Sequence, residues 1–297
     1  MGPAALRFAG LISVLHELGH SVTDRGDIAF AAETAHPGGL TAFGEALPCY
    51  AALQASVGSS LRAGNTPLVI GGDHSLCIGS VNAAAQRYGS ELAVLWIDAH
   101  ADLNSPGTSP TGNLHGMLIG FLAGYPSEAT GIRHEQWEAI SNRLGAPTLK
   151  PDQFAWIGLR DVDQGEAARI ARTHSAFAST MADVDRVGIQ RVLQGFHEWM
   201  HRGGFRYLWI SFDVDVMDPN LAPGTGTTVR GGLTYREAHT VAESLGEWLH
   251  ASDAVYKLAG MDLVEVNPLI DIHNETARVA VEWLGSLFGK RILGGRP

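Results

Sequence analysis

The chain has 297 residues, of which 45% are hydrophobic and 18% charged, a balance that suits a globule with a large buried core and excludes extensive disorder. Its formal charge of −10, with no Lys/Arg run, excludes a nucleic-acid partner, because a duplex has to be met by a basic face; the same balance favours cationic small molecules. No apolar run approaches the ~20 residues of a membrane span.

Cys49 and Cys77 are too few for a disulfide framework, and no basic segment followed by an apolar one opens the chain, so the expected location is cytoplasmic. No linker interrupts the sequence, and one domain over 1–297 is expected.

In chain order, hydrophobic periodicity predicts a helix over Ala4–Leu18, stopped by Gly19, and then a short strand leading into Asp27-Ile28-Ala29-Phe30. A second helix covers about Glu45–Arg62. The short apolar run Pro67-Leu68-Val69-Ile70 reads as a buried strand that breaks at Gly71-Gly72 and delivers Asp73-His74-Ser75 to the mouth of a helix running to Tyr88. The next strand, Leu92–Ile97, is followed by Asp98-Ala99-His100-Ala101-Asp102. In extended backbone these three metal-capable side chains, spaced by two, project to one side.

Further strands are predicted at Phe154–Leu159, ending in Arg160-Asp161-Val162-Asp163, at Arg206–Phe212, ending in Asp213-Val214-Asp215, and at Lys257–Val266, which carries Glu265. Helices at Arg186–His201 and Thr234–His250 lie between them. Continuously apolar strands alternating with helices imply an α/β fold, a three-layer α/β/α arrangement with a central, mostly parallel sheet. Ligands of such sheets bind outside the carboxyl ends of the strands, where every acidic cluster of this chain falls. The run Gly224-Thr225-Gly226-Thr227 is a loop and not a nucleotide fingerprint, since no strand-to-helix turn surrounds it.

Suppose Asp98, Asp102, Asp213 and Asp215 converge with His74 and His100. Two carboxylates about 4 Å apart repel by roughly 4 kcal/mol at an effective dielectric near 20, so four together call for cations. Hard oxygen donors with two imidazoles suit an ion such as Mn²⁺ better than thiolate-rich structural zinc. Six ligands are too many for one catalytic ion with an open position, and two ions sharing carboxylates would use them all. The implied chemistry is metal-assisted hydrolysis.

These residues carry a resemblance. With Gly71-Gly72-Asp73-His74-Ser75, Asp98 to Asn104, Gly112-Asn113-Leu114-His115-Gly116, Ser211 to Asp215, Gly231 to Glu237 and Met261 to Pro268, the chain resembles the ureohydrolase (arginase/agmatinase) family nearly end to end, and within it the arginase branch. The resemblance implies two Mn²⁺ per subunit: one held by His74, Asp98, Asp102 and Asp213, the other by Asp98, His100, Asp213 and Asp215. It makes Asp102 the residue that orients a metal-bridging hydroxide, His115 the proton shuttle, and Glu265 the partner of the substrate guanidinium. Asn104, Ser109 and Thr111 match positions that bind an α-carboxylate, Asp163 and Glu166 those that receive an α-amino group, and Thr227 is placed with the substrate contacts.

The expected reaction is hydrolysis of L-arginine to L-ornithine and urea, with agmatine or another guanidino acid as the alternative substrate and a non-catalytic arginine- or ornithine-binding module as the alternative role. A decarboxylated substrate would leave the α-carboxylate positions unpaired, which favours arginine. The family's assemblies imply a homotrimer or homohexamer through the Arg236-Glu237 segment. The sequence departs from the family pattern at Val216-Met217, Thr228, Arg230 and Thr111, and the family's first strand and glycine-rich loop, which normally precede Gly2–Arg7, are absent, so a sheet short of one strand is expected.

A competing pattern, H-E-x-x-H, occurs at His16–His20 and again at His197–His201. Gly19 ends the first helix within a turn of His20, and two independent protease sites in one chain are implausible; surface histidines on helices explain both.

Overall fold

The structure, a computed structural model, describes residues 1–33, 38–147 and 149–293. Its middle layer is a sheet of six strands, β1 (Leu68–Ile70), β2 (Leu92–Ile97), β3 (Phe154–Leu159), β4 (Phe177–Thr180), β5 (Tyr207–Asp213) and β6 (Lys257–Val264), in the order β1-β6-β5-β2-β3-β4. Every pairing is parallel, so the sheet expected to be mostly parallel is wholly so. β2 and β3 are buried along their whole length, as their unbroken apolar sequences require when helices cover both faces.

One face is covered by α3 (Phe43–Arg62), α4 (Cys77–Tyr88), α5 (Leu118–Leu122) and α6 (Ile132–Leu144), which share a core with Val94, Trp96 and Trp209. The other is covered by α1 (Gly2–Phe8), α2 (Leu11–Glu17), α8 (Met181–Val187), α9 (Ile189–Gly203), α10 (Tyr235–His250) and α11 (Glu275–Leu287), around Ala93, Leu95 and Ile210. α7 (Gln164–Arg172) follows β3. Successive residues of one strand thus serve opposite cores, the expected consequence of a period of two.

Three local expectations are corrected. The predicted helix over Ala4–Leu18 is two helices, broken at Gly10, whose φ of +93° no continuous helix admits. The strand predicted before Asp27–Phe30 does not form: residues 20–33 hold no regular element, and among the described residues this segment has no strand beside it to pair with. The helix predicted over Arg186–His201 is divided between α8 and α9 at Gly188, φ +80°.

Within α3, Pro48 has no N–H to give Gly44, and that carbonyl accepts the N–H of Glu33 instead. Among the described residues no strand precedes β1, which forms one edge of the sheet, and no helix is long and apolar enough to cross a membrane.

Candidate metal centre and substrate pocket

The register of β2 against β5 pairs Ile97 with Phe212, so Asp98 and Asp213 leave adjacent strands side by side at the same level. Both are buried, as are His74, Asp102 and Asp215. Residues 98–100 form a bend and not an extension of β2, and Asp102 has φ +51°, so the extended backbone inferred from the spacing is not what aligns these side chains. Hydrogen bonds two residues ahead do it: Asp98 Oδ1 accepts the N–H of His100 at 2.7 Å, and Asp213 Oδ1 that of Asp215 at 2.8 Å.

His74 arrives from the turn after β1 and stacks on Trp96 at 4.2 Å with an interplanar angle of 5°. Its Nδ1 lies 3.1 Å from Asp98 Oδ2, 3.0 Å from Asp213 Oδ2 and 3.4 Å from Asp102 Oδ2. His100 Nδ1 lies 3.3 Å from Asp98 Oδ1 and 3.1 Å from Asp215 Oδ2. Two groups able to hold an ion result, His74–Asp98–Asp213 and Asp98–His100–Asp215, and they share Asp98. Each oxygen of that carboxylate faces a different group.

The electrostatics identify what is wanted there. Burial, then the charges of Asp215 and Asp98, holds the Asp213 carboxyl well above the ordinary carboxylate range; burial and Asp98 do the same to Asp102. Burial opposes the charged form of His100, yet Asp215 and Asp98 push it up to about 12. The cluster therefore retains protons in place of positive charge. His74 Nδ1 and Asp98 Oδ2 are buried and have no hydrogen-bond partner, a costly condition that a cation between them relieves. Aspartate oxygens and imidazole nitrogens in these numbers fit hard or borderline divalent ions.

A third group, Asp73, His115 and Glu265, lies beside the first two. His115 Nδ1 is 3.5 Å from Asp73 Oδ2, and that hydrogen bond raises the imidazole pKa against the effect of burial. Glu265 holds φ +64° and accepts the N–H of His74 at 2.6 Å; burial, then the charge of Asp73, raises its pKa.

The expected substrate contacts divide. Asn104 Nδ2 donates to Asp163 Oδ2 at 3.0 Å, joining the two sets into one wall. Ser109 and Thr111 sit in the following loop, where their hydroxyls accept the N–H groups of Gly112 and Asn113. Glu166 is buried, and its two oxygens accept the N–H groups of Leu103 and Asp163, so it ties the loop to α7. Thr227 donates to Asp215 Oδ2 at 3.0 Å, which puts it against the metal group.

Two arrangements escape the sequence reading. Arg160, predicted only as a strand end, donates to the carbonyls of Asp215 at 2.5 Å, Val216 at 3.0 Å and Val229 at 2.8 Å. Behind His74, Nε2 lies 2.8 Å from Ser211 Oγ, and fully buried Asp262 accepts from Ser80, Cys77 and Trp209. Ser80 and Trp209 are separated in the chain from each other and from Asp262, so no local motif announces the second arrangement.

Neither H-E-x-x-H segment makes a site. His20 lies beyond the end of α2 with Nε2 2.9 Å from the Phe288 carbonyl, and His197 and His201 contact Tyr256 and each other; among the described residues neither pair belongs to a group of three potential ligands.

Comparison with known proteins agrees with this geometry. The model of the Arginase family matches residues 1–289. An arginase of Staphylococcus aureus (strain MRSA252) is 40% identical over 299 residues, covering 99% of this chain and 92% of that protein. The native structure of the Bacillus caldovelox arginase at pH 5.6 superposes with a TM-score of 0.86 at 37% identity, covering 98% of this chain and 93% of that one. The Entamoeba histolytica arginase in complex with L-ornithine superposes with a TM-score of 0.81 at 27% identity, covering 97% and 91%.

Proposed function

The chain belongs to the arginase family, and from that premise we propose that it hydrolyses L-arginine to L-ornithine and urea at a pair of Mn²⁺ ions. The observation that supports the reading is the sharing of Asp98 between two ligand groups, one of them fully buried, as a pair of neighbouring cations would require. His74, Asp98, Asp102 and Asp213 would hold one ion, and Asp98, His100, Asp213 and Asp215 the other. Bound there, the pair supplies Lewis acidity and a water that ionises near neutral pH.

The chain's own groups do the rest. Glu265 pairs with the guanidinium and turns its carbon toward the aspartates. Asp102 accepts a hydrogen bond from the attacking water and orients it. As the C–N bond to the side-chain nitrogen breaks, His115, whose imidazole pKa is raised by Asp73, donates a proton to the leaving amine. Asn104, Ser109 and Thr111 bind the α-carboxylate, and Asp163 with Glu166 meets the α-amino group. Thr227 acts through Asp215. The active species is a homotrimer or homohexamer, with Arg236, which is paired only loosely to Glu243 at 3.4 Å, available between subunits.

Steady-state rates for arginine, agmatine and guanidinobutyrate on the Mn²⁺-loaded protein test the reading. Arginine is expected to have the highest kcat/KM; a preference for agmatine would remove the α-carboxylate contacts from the account.

A further inference from the structure

The loop that carries Asn104 is gripped from α7 by a residue with no part in the chemistry. Asp163, the N-cap of α7, is followed at a spacing of three by Glu166 and Arg169, so the three lie along one side of the first two turns. Glu166 accepts the N–H of Leu103 at 2.8 Å. Arg169 donates through Nη1 to the Leu103 carbonyl at 2.5 Å and through Nη2 to Ser105 Oγ at 3.2 Å. Both chain neighbours of Asn104 are thus tied to the helix that presents Asp163. The guanidinium is itself held: the side chain is only 10% exposed, Nη2 is paired with the Glu128 carboxylate, and Cζ lies 4.6 Å from the centre of the Tyr125 ring. Ser105 Oγ donates to the same Glu128 oxygen at 2.8 Å. The Gly107 N–H donates to the Ser127 carbonyl at 2.7 Å, and Gly107 packs so closely on the Glu128 backbone that no Cβ fits there. The loop is therefore clamped between α7 and residues 125–128.

What the clamp fixes is the amide of Asn104. Thr108 Oγ1 accepts the N–H of Ser105 at 2.9 Å and donates to Asn104 Oδ1 at 2.9 Å, so the NH₂ end of that amide is the one turned to Asp163, 3.0 Å away. The separation of the two side chains is set by how the loop sits on α7. A substrate with an α-carboxylate and an α-amino group on one carbon has to meet Asn104 and Asp163 together, and a site built for both loses most when their spacing drifts. Agmatine keeps the amine and lacks the carboxylate, and needs Asp163 alone.

We infer that Arg169 is a positioning residue for substrate specificity, an inference that rests on the activity proposed above. By holding Leu103 and Ser105 onto α7, it sets Asn104 against Asp163 at the separation an α-amino acid requires, and so favours guanidino amino acids over guanidino amines.

Arg169→Met keeps the apolar stem and removes the fork, leaving Glu128, whose side chain is 44% exposed, to water. In the metal-free protein, amide exchange at Ser105 and at Gly107 to Ser109 is expected to quicken by about tenfold or more as local opening becomes easier. In the Mn²⁺-loaded protein, KM for arginine is expected to rise about tenfold with kcat within about twofold of the wild type, a modest share of the ~10²-fold that an ångström of misplacement can cost. Over the same change kcat/KM for agmatine should stay within about twofold, which also reports that the variant is folded and loaded. A wild type that prefers agmatine would overturn the activity proposed above and this inference with it. A wild type that prefers arginine would leave that activity standing, and the inference alone would fall if the variant kept its KM for arginine, lost kcat instead, or lost the two substrates equally. Unchanged amide exchange in the loop would overturn it as well, independently of metal and turnover.

Discussion

Replacing Arg160 with methionine keeps most of the apolar stem and removes the guanidinium that gathers the carbonyls of Asp215, Val216 and Val229. A hydrogen bond from a charged donor is worth about 1.5–3 kcal/mol, and the three share one donor group, so their losses do not add fully; a total of about 3–5 kcal/mol follows. In a chain of this size ~2 °C per kcal/mol gives a fall in Tm of roughly 6–10 °C. The effect on the metal site is more specific. Asp215 would lose the anchor of its own carbonyl, and loosening of such supports lowers metal affinity by roughly 10–100-fold. Calorimetric titration of the metal-free variant with Mn²⁺ should show the loss at the site built on His100, with the site built on His74 less affected. Arg160→Lys should not restore it, because one ammonium cannot span three carbonyls as the planar fork does. A methionine variant that melts with the wild type and binds both ions with unchanged affinity would refute the reasoning.

Two further outcomes follow from the titrating groups. Asp73→Asn removes the hydrogen bond that raises the His115 pKa, so the imidazolium is lost at lower pH and the alkaline limb of the kcat profile should move toward acid; an unmoved limb would separate His115 from the proton transfer. Asp102 and Asp213 have raised pKa values in the folded state, and His100 is raised as well, so the metal-free protein binds more protons than the unfolded chain and loses stability as pH rises through those values. Asp98, lowered by His100 and His74 against the effect of burial, works in the opposite sense only in acid. With a divalent cation proposed to take the place of those protons, the rise in Tm between chelator and saturating Mn²⁺ should be larger in alkaline than in mildly acidic buffer, and a gain independent of pH would contradict the assignment of the cluster as the ion site.

The residues that converge were readable because each stands where an apolar run stops. β2 and β5 are unmistakable strands, and parallel neighbours necessarily bring their carboxyl ends together, so Asp98 and Asp213 could be placed in one site before any coordinates. Arg160 could not. Its partners lie more than fifty positions further along the chain, and nothing local distinguishes an arginine that staples distant carbonyls from one that caps a strand. Likewise the strand expected before Asp27 has a suitable sequence but no neighbour, and pairing is a property of the fold that periodicity does not report. The break at Gly10 shows the converse: an apolar period continued across a glycine whose positive φ divides one helix into two.

The two-residue spacing of the acidic motifs has a cause other than strand periodicity, and that cause bears on function. Asp73, Asp98 and Asp213 each direct Oδ1 to the N–H two residues on, at Ser75, His100 and Asp215. This turn spends one oxygen on the backbone, fixes the side-chain rotamer, and leaves the second oxygen aimed outward. For Asp98 and Asp213 that second oxygen is the one at His74, 3.1 and 3.0 Å away; for Asp73 it is the one at His115. The residue that closes each turn over Asp98 and Asp213 is itself a candidate ligand, His100 or Asp215, so one backbone hydrogen bond orients two donors at once. Backbone amide dipoles thereby help to hold buried carboxylates that repel one another, and the second oxygens of Asp98 and Asp213 stay available to cations. Asp102 stands outside this scheme. Its φ of +51° turns it back toward His74 from the far side, an arrangement that an aspartate tolerates better than most residues, and that places its carboxylate near the ions without a turn of its own.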